Sequence, residues 1–168
     1  MKKFNKGILK SPTGMLEITA TENGISAIKF LDDSASLPVY EMDERIEQCK
    51  LQLCEYFEGA RFSFDITIDV EGTEFQKKVW NELLNIPFGQ TQSYLELAIR
   101  LGDKKSIRAV GLANGKNPLP IIIPCHRIVG SDGSLIGYAG GLWRKKWLLD
   151  HEAKFSKSEK QLEIFQVE

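Results

Sequence analysis

Three prolines fall within residues 117–124, on either side of the apolar run 121–123. Proline donates no backbone hydrogen bond, and it disfavours helical backbone at the residue before it. This stretch therefore cannot form a helix, and we predict extended backbone. The next residue is Cys125, so a rigid apolar segment leads directly into a thiol.

His126 and Arg127 follow Cys125 directly. A thiol reacts as the thiolate, and a free cysteine has a pKa of about 8.5, so a reactive one needs a nearby base or cation. Adjacency alone does not bring these groups together, because neighbouring side chains of extended backbone point to opposite faces. A base also needs an orienting acceptor, for which Asp150 and Glu152 are the acidic candidates. The alternative is an inert buried cysteine beside a surface histidine.

The N-terminal part of the chain predicts a small sheet with one helix. Residues 15–20 and 25–30 are apolar runs separated by a turn that contains Asn23-Gly24, a strong hairpin signal. A helix is predicted over about 40–58. Residues 62–70 alternate between apolar and polar side chains, the pattern of a half-buried strand.

Beyond residue 70 the apolar residues follow a helical period. Thr73 is a helix-capping residue, and Ser93 with Glu96 forms a capping box. Two short helices around the turn Gly102-Asp103 fit a helix-turn-helix, although an ordinary helical hairpin has the same pattern. The predicted helices begin after Thr73 and cover about residues 93–101, 104–113 and 142–152.

We therefore predict an α/β (α+β) fold with an N-terminal sheet-and-helix domain and a mainly helical C-terminal domain. The expected bounds are 1–70, 71–153 and a polar tail over 154–168. No apolar run approaches the roughly 18 residues of a membrane-spanning helix. Three cysteines, an odd number, and the lack of a signal-peptide core lead us to expect a cytoplasmic protein.

Charge is distributed unevenly along the chain. Acidic residues outnumber basic ones by 12 to 8 in residues 1–70, and basic residues outnumber acidic ones by 14 to 11 in residues 71–168. A basic C-terminal part indicates a polyanion-facing surface, although ordinary solvated faces produce the same asymmetry.

A series of short motifs surrounds Pro124-Cys125-His126-Arg127 in a fixed order. The others are Phe75-Gln76, Val79-Trp80, Phe88-Gly89, Ser93-Tyr94, Arg108-Ala109-Val110-Gly111, Asn117-Pro118, Gly137-Tyr138-Ala139-Gly140-Gly141-Leu142, Trp147-Leu148-Leu149 and His151-Glu152. This series runs from about residue 73 to 152, close to half the chain. It resembles the O6-alkylguanine-DNA alkyltransferases, also called methylated-DNA–protein-cysteine methyltransferases.

The resemblance implies repair of O6-alkylguanine in duplex DNA by irreversible transfer of the alkyl group to Cys125, without a cofactor. His126 would act as a base through a water molecule, with Glu152 holding and polarising it. Asn117 would brace the active-site turn, and Tyr94 would donate a proton to the departing guanine. Whether O4-alkylthymine is also a substrate is left open.

The target base lies inside a stacked duplex, so its nucleotide must be extruded. By resemblance, Arg108 fills the vacated place from the second helix of the helix-turn-helix. The small residues Ala109 and Gly111 would let that helix approach the minor groove. The residues that would line the guanine pocket are Val129, Tyr138 and Ala139.

We expect no metal, because the chain has only two histidines and its first 48 residues contain no cysteine. We also expect a monomer. Three other classes compete: a non-catalytic lesion-binding protein, which would lack the reactive cysteine; a cysteine hydrolase using Cys125, His126 and Glu152, which would turn over; and a transcription regulator, which would bind an operator, usually as a dimer.

Overall fold

The computed structural model describes residues 3–32 and 36–166, with side chains up to residue 157. Two compact units are present. One comprises the residues up to Gly72 together with Pro118–Ile122, and the other comprises Thr73–Asn117 together with the residues from Ile123 onward. Within the described ranges, no helix is long and apolar enough to cross a membrane.

A three-stranded antiparallel sheet forms the centre of the first unit, with β1 (Asn5–Ser11), β2 (Gly14–Thr21) and β3 (Gly24–Leu31) in that order. The predicted hairpin is confirmed as β2 and β3, with Thr21 paired to Gly24 across the turn. Alternate residues of β2 are fully buried, as a one-sided sheet requires. Strand β1 was missed, because its lysines and glycine do not alternate with apolar residues.

Helix α1 (Glu44–Phe57) packs against all three strands. It begins later than predicted, because the Asp43 carboxylate accepts hydrogen bonds from the backbone N–H groups of Arg45 and Ile46 and so caps the helix there. Its inward face is buried and carries Ile46, Cys49, Leu53 and Tyr56.

Residues 62–70 do not form the predicted strand. Their one strand-like pairing is the parallel bridge between Ile25 and Ile68. The Gln52 side chain replaces a neighbouring strand: the Asp65 N–H donates to its Oε1 at 2.8 Å, and its Nε2 donates to the Asp65 carbonyl at 2.9 Å. Exposure still alternates from residue 62 to 68. The pattern therefore predicted which side chains face inward but not how the backbone is hydrogen-bonded.

The proline-rich stretch is non-helical, as predicted, but it consists of bends and turns rather than extended backbone. Its Ile121 has a φ of 76°, which is rare for a β-branched residue. The chain curls because the Ile123 carbonyl accepts hydrogen bonds from both the Asn117 side-chain amide at 2.7 Å and the Cys125 N–H at 2.8 Å.

The second unit is mainly helical, and the predicted caps are present. Thr73 and Gln76 form a capping box at the start of one helix, and Ser93 and Glu96 form another at the start of the next. A 3-10 turn capped by Asp103 leads into the second helix of the helical pair. The elements are α2 (Glu74–Leu83), β4 (Gln92–Ser93), α3 (Tyr94–Arg100), α4 (Ile107–Gly115), β5 (Ile128–Val129), parallel to β4, and α5 (Leu142–Gln166).

Helix α5 is longer than predicted. The sequence suggested an end near Glu152 followed by a polar tail, whereas the helix continues to Gln166. No glycine or proline occurs between Leu142 and Gln166, so nothing in the backbone chemistry stops the helix.

Candidate active site

Cys125, His126 and Arg127 form a single 3-10 turn between Pro124 and strand β5, and all three side chains are buried. The Arg127 N–H closes the turn by donating to the Pro124 carbonyl at 3.0 Å. Because the turn is not extended, the prediction that neighbouring side chains point to opposite faces does not apply here.

The Cys125 thiol lies in a dry environment, since the residue is only 6% exposed. Burial raises the pKa of the thiol to about 11, while a hydrogen bond from the Asn117 side chain and the charge of Lys145 act in the opposite direction. Asn117 thus touches both the thiol and the Ile123 carbonyl, and it holds the turn from one side. At neutral pH the group is a thiol, so its reaction requires a base.

His126 and Glu152 form a buried pair. The His126 Nε2 lies 2.7 Å from the Glu152 Oε1, and neither side chain is more than 1% exposed. The other ring nitrogen, Nδ1, has no hydrogen-bond partner among the described residues. Burial lowers the pKa of His126, and together with the charges of Arg127 and Lys145 it outweighs the carboxylate, which raises it. The imidazole is therefore neutral, with Nε2–H donated to Glu152 and the Nδ1 lone pair left to accept a proton.

Arg127 binds the same carboxylate through two parallel hydrogen bonds. Its Nε donates to Glu152 Oε2 at 2.9 Å, and its Nη2 donates to Oε1 at 2.9 Å. The Gly89 N–H adds a third contact, to Oε2 at 3.1 Å. Burial opposes ionisation of Glu152, but its contacts with His126 and Arg127 hold the pKa well below its usual range. From the sequence, Arg127 was predicted only as a positive charge next to the thiol, so its contact with Glu152 was missed.

A second buried cation, Lys145, lies near the thiol and was not anticipated. Its side chain is fully buried, and its Nζ donates to the carbonyls of Ile136 and Gly137 at 3.0 and 3.2 Å. Burial lowers its pKa to about 8, against the charge of Cys125, which raises it. The burial of Lys145 could have been predicted from the sequence, because this residue lies three positions before Leu148 and seven before Glu152, on the buried face of α5.

Tyr94, at the start of α3, reaches the same loop. Its hydroxyl donates to the Ile136 carbonyl at 2.8 Å, and its ring centroid lies 5.8 Å from Lys145 Nζ. Burial raises the pKa of its hydroxyl, and the charge of Cys125 raises it further. Asn114 of α4, also unanticipated, hydrogen-bonds the Tyr94 hydroxyl and donates to the Cys125 carbonyl at 3.5 Å.

The predicted pocket residues lie on β5 and on the loop before α5. Val129 is buried, and Ala139 is exposed. Tyr138 is half-buried, and its hydroxyl interacts electrostatically with Cys125, Arg144 and Glu152. The charge of Cys125 thus acts on Tyr138, and Ala139, the next residue, is exposed.

The predicted DNA-contacting residues lie on α4. Arg108 and Ala109 are exposed, and Gly111 is half-buried with space for a methyl group 3.8 Å from the Tyr94 ring. Lys104, Lys105 and Lys116 flank this helix and are exposed. Among the described residues, no group of three or more His, Cys, Asp or Glu side chains could hold a metal ion.

Two family models match the chain in adjacent segments. The 6-O-methylguanine DNA methyltransferase, DNA binding domain, matches residues 74–154, and the ribonuclease-like domain of the same family matches residues 5–70.

Named proteins and solved structures agree with these matches. The methylated-DNA–protein-cysteine methyltransferase of Methanosarcina acetivorans is 44% identical over 149 residues, 86% of this chain and 96% of that protein. The crystal structure of the Mycobacterium tuberculosis O6-methylguanine methyltransferase has a TM-score of 0.81 at 37% identity, over 90% of this chain and 94% of that one. The crystal structure of the M. tuberculosis OGT in complex with DNA has a TM-score of 0.80 at 39% identity, over 88% and 92%.

Proposed function

The chain belongs to the 6-O-methylguanine DNA methyltransferase family, and on that premise we propose that it repairs duplex DNA by moving the alkyl group of O6-alkylguanine to its own Cys125. The observation that carries this proposal is the buried Cys125, followed in the same turn by a buried, neutral His126 whose Nε2 is held by Glu152. This arrangement supplies a nucleophile, a base and an orienting acceptor.

The reaction forms one bond and breaks one. The Cys125 sulfur attacks the alkyl carbon, a carbon–sulfur bond forms, and the bond from that carbon to the guanine O6 breaks. The thiol proton goes to His126 Nδ1, through a water molecule as the resemblance implies, and the imidazolium is stabilised by the Glu152 carboxylate. The thioether is stable, so the cysteine is consumed and each chain reacts once.

Departure of the guanine is easier if the base receives a proton. We assign this role to Tyr94, whose hydroxyl donates to the Ile136 carbonyl in the free protein and would exchange that acceptor for the base. The tyrosinate left behind then regains a proton from solvent, and His126 returns its proton to solvent. Val129, Tyr138 and Ala139 are the proposed lining of the guanine pocket. Asn117 is the proposed brace of the turn, through its bonds to the thiol and to Ile123.

Extrusion of the nucleotide is assigned to α4. Arg108 is exposed there and is free to enter the duplex, while Ala109 and Gly111 present little bulk to the minor groove. Exposed lysines on either side of the helix are placed for phosphate contacts, which are salt-sensitive and independent of sequence. One chain holds every residue of this scheme, so we propose a monomer, and the cytoplasmic location expected from the sequence stays a prediction.

Intact-protein mass spectrometry after incubation with a duplex containing one O6-methylguanine tests this function. The wild type should gain one methyl group, mapped to Cys125, and Cys125→Ala should gain none. Cys54→Ala is the matched control, because Cys54 is a half-buried thiol in the other compact unit, and this variant should react as the wild type does. Lesion binding without a mass gain would instead support the non-catalytic lesion-binding class.

A further inference from the structure

The Glu152 carboxylate accepts hydrogen bonds from both His126 and Arg127. Its Oε1 accepts from His126 Nε2 at 2.7 Å and from Arg127 Nη2 at 2.9 Å, and its Oε2 accepts from Arg127 Nε at 2.9 Å. Arginine is always charged and matches a carboxylate through two parallel bonds. The negative charge that faces His126 is thus already neutralised by a guanidinium bound to the same two oxygens.

The groups around His126 favour an uncharged ring. Glu152 of α5 raises the pKa of the imidazole, whereas the burial of the ring, the adjacent Arg127 and Lys145 of α5 all lower it. Protonation of His126 at rest would place a second cation on one carboxylate in a buried site, with Lys145 as a further cation acting on the ring. Arg127 is itself fixed in place, because its Nη1 donates to the Ile86 carbonyl at 2.6 Å and its guanidinium carbon lies 5.9 Å from the Phe88 ring centroid.

We propose that Arg127 is a positioning residue that keeps His126 uncharged in the resting protein, so that Nδ1 is available for the Cys125 proton. A carboxylate within about 4–6 Å of a histidine favours the protonated ring and so raises the histidine pKa. Without the guanidinium, Glu152 would draw a proton onto His126 near neutral pH, and a protonated ring is no base. The use of Nδ1 in the reaction rests on the proposed function, whereas the charge state of His126 does not.

Nitrogen-15 NMR of the histidine rings tests the proposal without DNA. The chain has only two histidines, and His151, stacked on Trp147 at 4.9 Å, provides an internal reference. In the wild type at pH 7, His126 should show a protonated Nε2 and a bare Nδ1. A doubly protonated His126 at pH 7 would overturn the proposal, and this arm needs no variant.

Two substitutions separate charge from structure. Arg127→Gln should raise the midpoint of the His126 titration by about one pH unit or more, while Arg127→Lys, which keeps the cation, should stay near the wild type. Alkyl transfer by Arg127→Gln should be slow at pH 7 and recover as the pH rises and His126 loses its proton. An unmoved His126 midpoint in folded Arg127→Gln, or an equal shift in Arg127→Lys, would contradict the proposal.

The alkyl-transfer experiment tests the proposed function, and the NMR experiment tests the role of Arg127, so either proposal can be contradicted alone. If the wild-type protein gains no methyl group from lesion DNA while His126 behaves as described, the proposed function is wrong and the assignment of Arg127 stands. If alkyl transfer occurs but His126 is charged at rest, Arg127 does not have this role.

Discussion

Cys125, the proposed alkyl acceptor, and Cys49, which has no role in the proposal, differ in what surrounds their thiols. Both are buried, and burial raises their pKa values, to about 11 and about 12 respectively. The Asn117 side chain, the Lys145 cation and the His126 backbone act on Cys125, whereas burial alone acts on Cys49. Burial shields the Cys125 thiol from solvent, and its neighbours favour the thiolate that the proposed reaction needs.

Lys145 allows a test at the level of one side chain. Lys145→Met keeps the length of the side chain but removes the cation and the donor of two loop carbonyls, which should cost about 1–3 kcal/mol of unfolding free energy. It should also slow the reaction of Cys125 with iodoacetamide and shift that reaction to higher pH, because a cation that favours the thiolate is lost.

Lys146→Met is the matched control. Lys146 lies next in sequence, is 66% exposed and pairs only with Asp150 one turn away, so its removal should change the unfolding free energy by less than about 1 kcal/mol. Thermal unfolding and the pH dependence of Cys125 alkylation are measured for both variants. If Lys145→Met is as stable and as reactive as Lys146→Met, the buried amine does not support the site.

Gly111 of α4 affects both the stability of the helix and its proposed approach to DNA. A Cβ there would lie 3.8 Å from the Tyr94 ring, an ordinary contact, so Gly111→Ala should raise helix stability by up to about 1 kcal/mol. If α4 enters the minor groove, the added methyl group should nevertheless weaken binding to duplex DNA at fixed salt. We thus expect Gly111→Ala to raise the free energy of unfolding and to lower the affinity for duplex DNA.

Gly115→Ala is the control on the same helix, since a Cβ there meets nothing within 4 Å. This substitution lies at the end of α4 and should leave DNA binding close to that of the wild type. Equal duplex affinity of Gly111→Ala and the wild type would argue against close approach of this part of α4 to DNA.

Elements that depend on residues close in the sequence could be predicted, whereas those that depend on contacts between residues far apart in the sequence could not. The β2–β3 hairpin and the capping boxes at Thr73 and Ser93 depend on residues within four positions of each other. The failed strand at residues 62–70 depends on Gln52, a side chain from α1 that takes the hydrogen bonds of a neighbouring strand. No pattern among neighbouring residues predicts such a contact.

The same distinction holds for the candidate site. Cys125, His126 and Glu152 were predicted through a motif series, and the structure places the last two in contact. The bonds of Arg127 to Ile86 and of Gly89 to Glu152 join residues 41 and 63 positions apart, so the sequence offered no sign of them. Lys145 was missed although its place on the buried face of α5 could have been found by counting helical turns.

At the scale of the whole molecule, the predicted site residues all fall in the second compact unit. Cys125 and the residues around it, including Tyr94 and Asn117, belong to the same unit as the exposed face of α4. We therefore propose that lesion extrusion and alkyl transfer both take place on the second compact unit. Among its described residues, that unit contains Cys125 and no second cysteine that could accept the alkyl group from it.

A count of repaired lesions per protein chain tests the central claim most directly. A fixed amount of protein is incubated with increasing amounts of duplex containing O6-methylguanine, and the remaining lesion is quantified by chromatography of the released bases. Stoichiometric self-alkylation predicts that repair rises one-to-one and stops at one lesion per chain, however long the incubation. Continued loss of the lesion beyond one equivalent would reveal turnover by a hydrolase, and no loss at all would show that Cys125 is not an alkyl acceptor.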